Sequence, residues 1–397
     1  MAETTAGVFL ADRRVGTLTF ASEVTRFEYT DTEPNHPVLG QAFEDSPARL
    51  RVARMDVPAW FSNLLPEQDT PLRRLVADQF GVKAVRSFPL LLALGDDLPG
   101  AVVVRPDDGD RPMLTGPEPG VERVGRLAFS LAGVQLKFSM AREGRRFTLP
   151  MSGTGGGWIV KLPDRAFRDV PANEHAMMRW AAAAGLDVPE VELRTGRDLA
   201  GVPESLVGPE EQVFAIRRFD RTDTGRVHIE DFAQIREVSP RTKYDNTSYD
   251  AIGRVVAALT GSDGVAEYIR RLVVAIVIGN ADAHLKNWSL IYPDGRTPAL
   301  APAYDLVAVT VYEPFSTDRL AFRLAGERDF DKIGRDHFRR LADSVGADAD
   351  DVVGVVDRTI DALRATWPGI VENHPVPGFL RTYMDDRLLR LPLLHEI

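Results

Sequence analysis

Five polar side chains crowd the stretch "GNADAHLKN" at 279–287: Asn280, Asp282, His284, Lys286 and Asn287. An apolar run, "RLVVAIVI", leads into it, and an apolar strand and a turn separate it from a lone acid, Asp305, in "AYDL". Polar groups set among core-forming segments cost free energy unless they are paired or used. Asp282 and Asn287 are five residues apart. Phosphoryl transfer uses that offset: one carboxylate takes the acceptor hydroxyl's proton, and a neutral oxygen a turn later binds a divalent cation without adding repulsive charge. Asp305 then brings an anionic oxygen of the kind a hard cation such as Mg²⁺ prefers. The plain alternative is a polar loop between a core helix and a strand, with Asp305 capping a turn.

A second pair precedes this cluster. Lys161 stands in the apolar strand "WIVKLP", and Glu174 follows thirteen residues later, expected on the first turn of the next helix. A strand lysine paired with a helix glutamate is how kinase-type folds hold an ammonium against nucleotide phosphates. The competing reading is an exposed lysine on an edge strand and a glutamate favoured by a helix N-terminus. "SLAGVQLKF" is a candidate turn over phosphates, with Gly133 allowing close backbone approach. "SGTGGG" at 152–157 has the composition of a phosphate cradle, but a strand rather than a helix comes after it, so a hairpin turn is expected. His284 has no second histidine or carboxylate at metal spacing beside it and reads equally as an orienting loop histidine. No nucleophile-elbow signature is present for Ser-His-Asp hydrolysis.

These residues need elements to position them. Residues 1 to about 60 alternate short β-like runs with turns, and "PAWFSNLLPEQDTPLRRLVADQF" carries apolar residues at helical spacing. A Pro/Gly/Asp-rich stretch near 107–120 reads as a linker. Strand-like segments come next ("RLAFSLAG", "VQLKFSMA", "RRFTLP", "GWIVKLP"), with "REGR" as a hairpin turn, then one strong helix, "ANEHAMMRWAAAAGL". "QVFAIRRFDRT" is a further strand, and beyond about 230 the patterns are mostly helical. The expectation is an α+β protein in three parts: a β-rich module over 1–112, a sheet with one helix over 113–222, and a helical region over 223–397.

Composition narrows the function. The chain has 397 residues, a net charge of −10 and no cysteine. Thiolate nucleophiles, disulfides and Cys-bound zinc are therefore excluded. The acidic balance argues against autonomous binding to nucleic acid, which needs a concentrated basic surface. The N-terminus lacks signal-peptide character and the longest apolar runs are too short to span a bilayer, so a cytoplasmic protein without membrane contact is expected.

In order along the chain, "PAWFSNLLPE", "LLLALGDDLPGAVVV", "SLAGVQLKF", "GWIVKLP" with its following helix, "IRRFDR", "HIEDFAQI" with "KY", "GNADAHLKN" and "AYDL" resemble the HipA family of bacterial serine/threonine kinases, the toxin half of toxin–antitoxin pairs. The resemblance spans most of the chain. It implies a two-lobed, protein-kinase-like fold with an added N-terminal β-rich subdomain and a mostly helical C-terminal lobe, using ATP and Mg²⁺. By position, it makes Asp282 the catalytic base and places Asn287 and Asp305 on the metal. It puts Lys161, with Glu174, at the ATP phosphates, under a loop of Ala132, Gly133, Val134, Gln135, Leu136 and Lys137. It brings backbone groups of Arg217, Arg218 and Phe219 to the adenine. His284 and Lys286 would contact the transferred phosphate, Tyr304 would join Asp305 at the nucleotide site, and Ser130 would be the autophosphorylated serine. The implied partners are a protein substrate, an aminoacyl-tRNA synthetase in some members, and a small helix-turn-helix antitoxin that carries the kinase onto operator DNA. "DNTSYD" after Tyr244 departs from the Gly-Gly pair common in the family, as does Ala281 from the arginine of protein kinases.

Overall fold

A computed structural model describes residues 3–10, 12–31, 33, 35–44, 50–107, 136–149, 155–245 and 247–395. Ser130, Ala132, Gly133, Val134 and Gln135 lie outside the described residues, as do the strand expected at "RLAFSLAG" and most of the expected linker. The chain forms two compact units. Unit 1 takes in Met1–Pro163, Arg194–Lys243 and Leu290–Thr297; unit 2 takes in Asp164–Leu193, Tyr244–Ser289 and Pro298–Ile397.

Unit 1 opens with β1 (Thr4–Leu10), β2 (Arg13–Ala21), β3 (Val24–Tyr29), the one-turn helix α1 (Gln41–Glu44) and β4 (Leu50–Arg54). Helices α2 (Ala59–Ser62), α3 (Pro71–Gln79) and α4 (Ser87–Leu94) precede β5 (Val102–Pro106). The five strands form one sheet in the order β4-β3-β2-β1-β5. Alternate side chains of β3, Thr25, Phe27 and Tyr29, point into the core, as a strand's two-residue period requires. Phe27 meets Phe61 and Phe43 edge-on. The helical pattern over 58–80 is broken in the fold. Pro66 interrupts it, and α3 restarts at Pro71 with Thr70 as N-cap, its hydroxyl accepting the Arg73 N–H at 3.2 Å.

The second sheet of unit 1 holds the candidate lysines. β6 (Lys137–Glu143) and β7 (Arg146–Thr148) make the expected hairpin around Gly144, whose φ of +61° the turn requires. β8 (Trp158–Lys161) lies between β6 and the later strand β11 (Gln212–Arg217), and β7 also pairs with β10 (Leu199–Ala200). Helix α5 (Val170–Ala183) and the start of β9 (Val191–Thr195) belong to unit 2. After β11 come the short hairpin β12 (Arg221–Thr222) and β13 (Gly225–Arg226), then β14 (His228–Asp231) and α6 (Phe232–Ile235).

Unit 2 is mainly helical: α5, α7 (Tyr249–Ile278), α8 (Arg335–Val345), α9 (Ala349–Asn373) and α10 (Gly378–Arg390), with β15 (Ser289–Tyr292) leading back into unit 1 and β16 (Ala299–Leu300) after it. Helix α7 is two helices joined at Gly261, whose φ/ψ of 66°/−161° is not helical. Ser248 caps it, accepting the Ala251 N–H at 3.1 Å. Its second half, Leu272–Ile278, is buried on every face, which is what an apolar run without an amphipathic stripe predicts. Trp180 of α5 packs against Trp367 of α9, ring centroids 4.5 Å apart and tilted by 43°, and donates to the Leu363 carbonyl at 3.0 Å. Among the described residues no helix is long and apolar enough to cross a membrane.

Candidate active site

The loop 279–287 begins where α7 must stop. Gly279 adopts φ +69°, and the Asn280 N–H returns to the Ala275 carbonyl at 2.8 Å, a left-handed helix cap. A Cβ at Gly279 would meet the Thr310 hydroxyl at 2.1 Å. Arg387 of α10 donates to the Ile276 and Val277 carbonyls at 2.6 and 2.9 Å, placing a cation on the negative end of the helix. The loop therefore starts from a rigid, neutralised helix end.

Asn280 links two parts of the site. Its side-chain oxygen accepts the Asp282 N–H at 3.1 Å, and its amide nitrogen donates to the Asp305 carbonyl at 3.2 Å. One buried amide thus ties the 282 loop to the 305 segment, twenty-five residues on. Asn287 donates its amide to the Asp282 carbonyl at 2.8 Å, which turns its oxygen, the atom a hard cation takes, away from that carbonyl. Asp305 sits at φ +56°, a left-handed conformation uncommon for a residue with a Cβ and one that clusters at functional sites. Oxygen donors of this kind fit Mg²⁺. Among the described residues no cluster of three or more His, Cys, Asp or Glu side chains forms a complete metal site.

The remaining loop residues are held from below. The Ala283 carbonyl accepts the Tyr249 hydroxyl at 3.1 Å and the Trp288 indole at 3.2 Å. Tyr304 donates to the Lys286 carbonyl at 2.9 Å, with the Ser289 hydroxyl 2.5 Å away. His284 and Lys286 are buried, whereas the Asp282 side chain is half exposed. The Tyr244 hydroxyl donates to Asp282 Oδ1, and the His284 Nε2 stands 4.0 Å from the same oxygen. The segment after Asp305 is clamped to α5, where Asn173 bonds both the N–H and the carbonyl of Ala308 at 3.0 and 3.1 Å. Glu174, its neighbour, is buried on the second turn of α5 rather than the first, because the helix already starts at Val170.

In unit 1, Lys161 is buried on an inner strand, not exposed on an edge. It lies directly opposite Lys137 on β6 and Phe214 on β11, so the three side chains share one face of the sheet. Its ammonium stands 5.6 Å from the Phe214 ring centroid. The pair puts two ammonium groups on this face of the sheet. Leu136 accepts the Leu162 N–H at 2.9 Å and so extends this strand pairing.

Arg218 has a different character from its neighbours. Its guanidinium grips Asp220 at two points, 2.9 and 2.8 Å, and reaches Asp97 at 3.0 Å and the Ser139 hydroxyl at 3.2 Å. Its N–H donates to the Gly157 carbonyl at 2.9 Å. Arg221 bonds the same two carboxylates, and Asp220 accepts the Gly100 N–H at 2.8 Å. Despite complete burial, the paired guanidinium groups hold the Asp220 carboxyl down at about 2. The Arg218 side chain is therefore fixed inside unit 1.

"HIEDFAQI" is likewise built in. His228 bonds the Leu39 carbonyl at 2.8 Å, and Glu230 accepts the Gln41 N–H at 2.9 Å, the Trp60 indole at 3.4 Å and the Tyr292 hydroxyl. Burial outweighs these bonds and pushes the Glu230 carboxyl up to about 7, while it pushes the His228 imidazole down to about 4. Sequence reading set Asn280 in the polar cluster without giving it a role, and passed over Tyr244. For Asn280 the available signal was its place directly after the helix-ending glycine.

Two family models match the chain: the HipA N-terminal domain over residues 6–105 and the HipA-like C-terminal domain over 129–367. A Sinorhizobium fredii protein named "Putative kinase Y4dM" is 44% identical over 352 residues, covering 88% of this chain and 85% of its own. A second protein of that organism, "Putative kinase Y4mE", is 30% identical over 90% of this chain and 88% of its own. Among solved structures, HipA of Shewanella oneidensis MR-1, determined with HipB and operator DNA, superposes with a TM-score of 0.73 at 21% identity, covering 97% of this chain and 96% of that one. The mixed α and β fold is thus the HipA fold, and the family models together with the two relatives named putative kinases define the class as a kinase. The chain belongs to the HipA family.

Proposed function

We propose that this HipA-family kinase transfers the γ-phosphoryl group of ATP to a serine or threonine hydroxyl of a protein, with Asp282 as the base. The observation that carries the reading is the Asp282 loop. Its backbone is fixed at the N–H by Asn280 and at the carbonyl by Asn287, while the carboxylate reaches outward to a hydroxyl. Fixing the backbone and presenting the carboxylate is what positioning catalysis requires. The acceptor oxygen bonds to the γ-phosphorus, the bond from that phosphorus to the β–γ bridging oxygen breaks, ADP leaves, and the acceptor proton passes to Asp282. Asn287 and Asp305 would hold Mg²⁺, which neutralises charge on the phosphates when bound. The facing Lys137 and Lys161 support an anion site in unit 1, to which the 132–135 loop would contribute. Ser130 would accept a phosphate in self-inactivation. The three-part division at 112 and 222 would separate an antitoxin- or target-recognising module from the two kinase lobes. A HipB-like helix-turn-helix partner, bringing operator DNA with it, is proposed from the Shewanella complex.

The test incubates purified protein and its Asp282→Asn variant with labelled Mg·ATP, followed by intact mass and site mapping. Label on wild type alone, with nucleotide binding kept in the variant, supports the reading. Equal labelling of the two overturns the base.

A further inference from the structure

Asp282 is held by its main chain. Its N–H is taken by Asn280 at 3.1 Å, and its carbonyl accepts the His284 N–H at 2.7 Å and the Asn287 amide at 2.8 Å. On the carboxylate side stands Tyr244, whose hydroxyl donates to Oδ1 and whose ring meets His284 edge-on, centroids 5.1 Å apart at 76°. Tyr244 belongs to no helix or strand and is 44% exposed, so core packing does not account for its position. The residue before it, Lys243, is buried and paired with Glu67 at 2.8 Å, which anchors the chain just ahead of the ring.

A hydroxyl donating to a carboxylate oxygen is the bond a phosphoryl acceptor must make to its general base before transfer. Tyr244 already makes it. We propose, on the reading of Asp282 as the base, that Tyr244 occupies the acceptor-hydroxyl position and decides which acceptors reach it. A serine or threonine on a docked protein draws on the rest of its interface to displace the phenol. Water has no such binding energy and does not displace the phenol from Oδ1. Tyr244 is then the residue that separates protein phosphorylation from wasteful hydrolysis of ATP, a form of selection by binding energy from remote contacts.

The test measures phosphate release from Mg·ATP by wild type, Tyr244→Phe, Tyr244→Ala and Asp282→Asn, with ADP affinity and site mapping alongside. Losing one hydrogen bond to a charged group predicts hydrolysis about tenfold faster in Tyr244→Phe, at least as fast in Tyr244→Ala, and ADP affinity unchanged in both. Tyrosine variants no faster than wild type overturn the inference while Asp282→Asn remains inactive. Phosphate mapped to Tyr244 itself also overturns it, since the residue is then an acceptor rather than an obstacle. Asp282→Asn as active as wild type, or no turnover by any form, instead removes the base assignment, and the inference falls with it.

Discussion

The molecule contains two dense polar clusters that look alike in the sequence and behave differently in the fold. Around Arg218, in unit 1, two arginines and two aspartates bond to one another, Arg218 and Asp220 buried and Asp97 and Arg221 partly so, and the Gly100 N–H and the Gly157 carbonyl join them. Around Asp282, in unit 2, the bonds run to the backbone while the carboxylate itself reaches a half-exposed position. The first arrangement pairs its charges with one another and joins residues 97–100 to 218–221, although Asp97 Oδ2 and Arg221 Nε are left without a hydrogen bond. The second leaves its charge where a partner can meet it. Charges bonded to one another serve architecture, whereas a fixed backbone under an outward carboxylate leaves the charge available to a partner.

Substitutions break this contrast in opposite directions. Asp282→Asn is expected to lower phosphoryl transfer by three to four orders of magnitude, at the upper end of what a general base contributes, or about 4 to 5 kcal/mol in the barrier. Its unfolding midpoint in urea should stay near wild type, and a large shift would place Asp282 with the architectural cluster. Arg218→Met should do the reverse. Removing Arg218 leaves a single arginine, Arg221, against two carboxylates, so equilibrium unfolding should show a loss of about 3 to 5 kcal/mol. A loss below about 1 kcal/mol, the scale of an exposed ion pair, would mean that the network does not serve architecture.

Glu230 sharpens the architectural side through pH. The unfolded carboxyl releases its proton near 4.5 and the folded one near 7, so between those values the folded state binds the extra proton. Stability from this group is therefore present below about pH 4.5 and falls as pH rises toward 7, by about 3 kcal/mol. His228 acts oppositely: the folded imidazole stays neutral down to about 4, so its contribution grows between about pH 4 and 6.5. Glu230→Gln should remove the first dependence and keep the second. The stability difference between variant and wild type, followed by urea unfolding from about pH 5 to 8.5, should rise with pH. A flat difference would show that Glu230 titrates normally.

Asn280→Ala lies between the two behaviours, because the residue is both buried and part of the site. Losing its bonds to Asp282 and Asp305 should cost about 1 to 3 kcal/mol of stability. It should also reduce transfer by about ten- to a hundredfold, as expected when a positioning contact is lost. The smallest effect on folding is expected for Tyr244→Phe, within about 0.5 kcal/mol of wild type by thermal unfolding.

Much of this was written in local pattern. The all-apolar run before Gly279, the break at Gly261, the hairpin at Gly144 and the order Lys161, Glu174, Asp282, Asn287, Asp305 depend on periodicity, backbone freedom and side-chain chemistry, which act over a few residues. So did the α+β class and the family. Tertiary structure decided the rest. It set Lys161 on an inner strand facing Lys137, joined Asp282 to Asp305 through Asn280, committed Arg218 and Glu230 to the interior, and laid Tyr244 on Asp282. Each of these is a contact between residues distant along the chain or a choice between burial and exposure. A polar side chain carries the same chemistry in either setting, and only packing determines whether that chemistry is bonded away or presented.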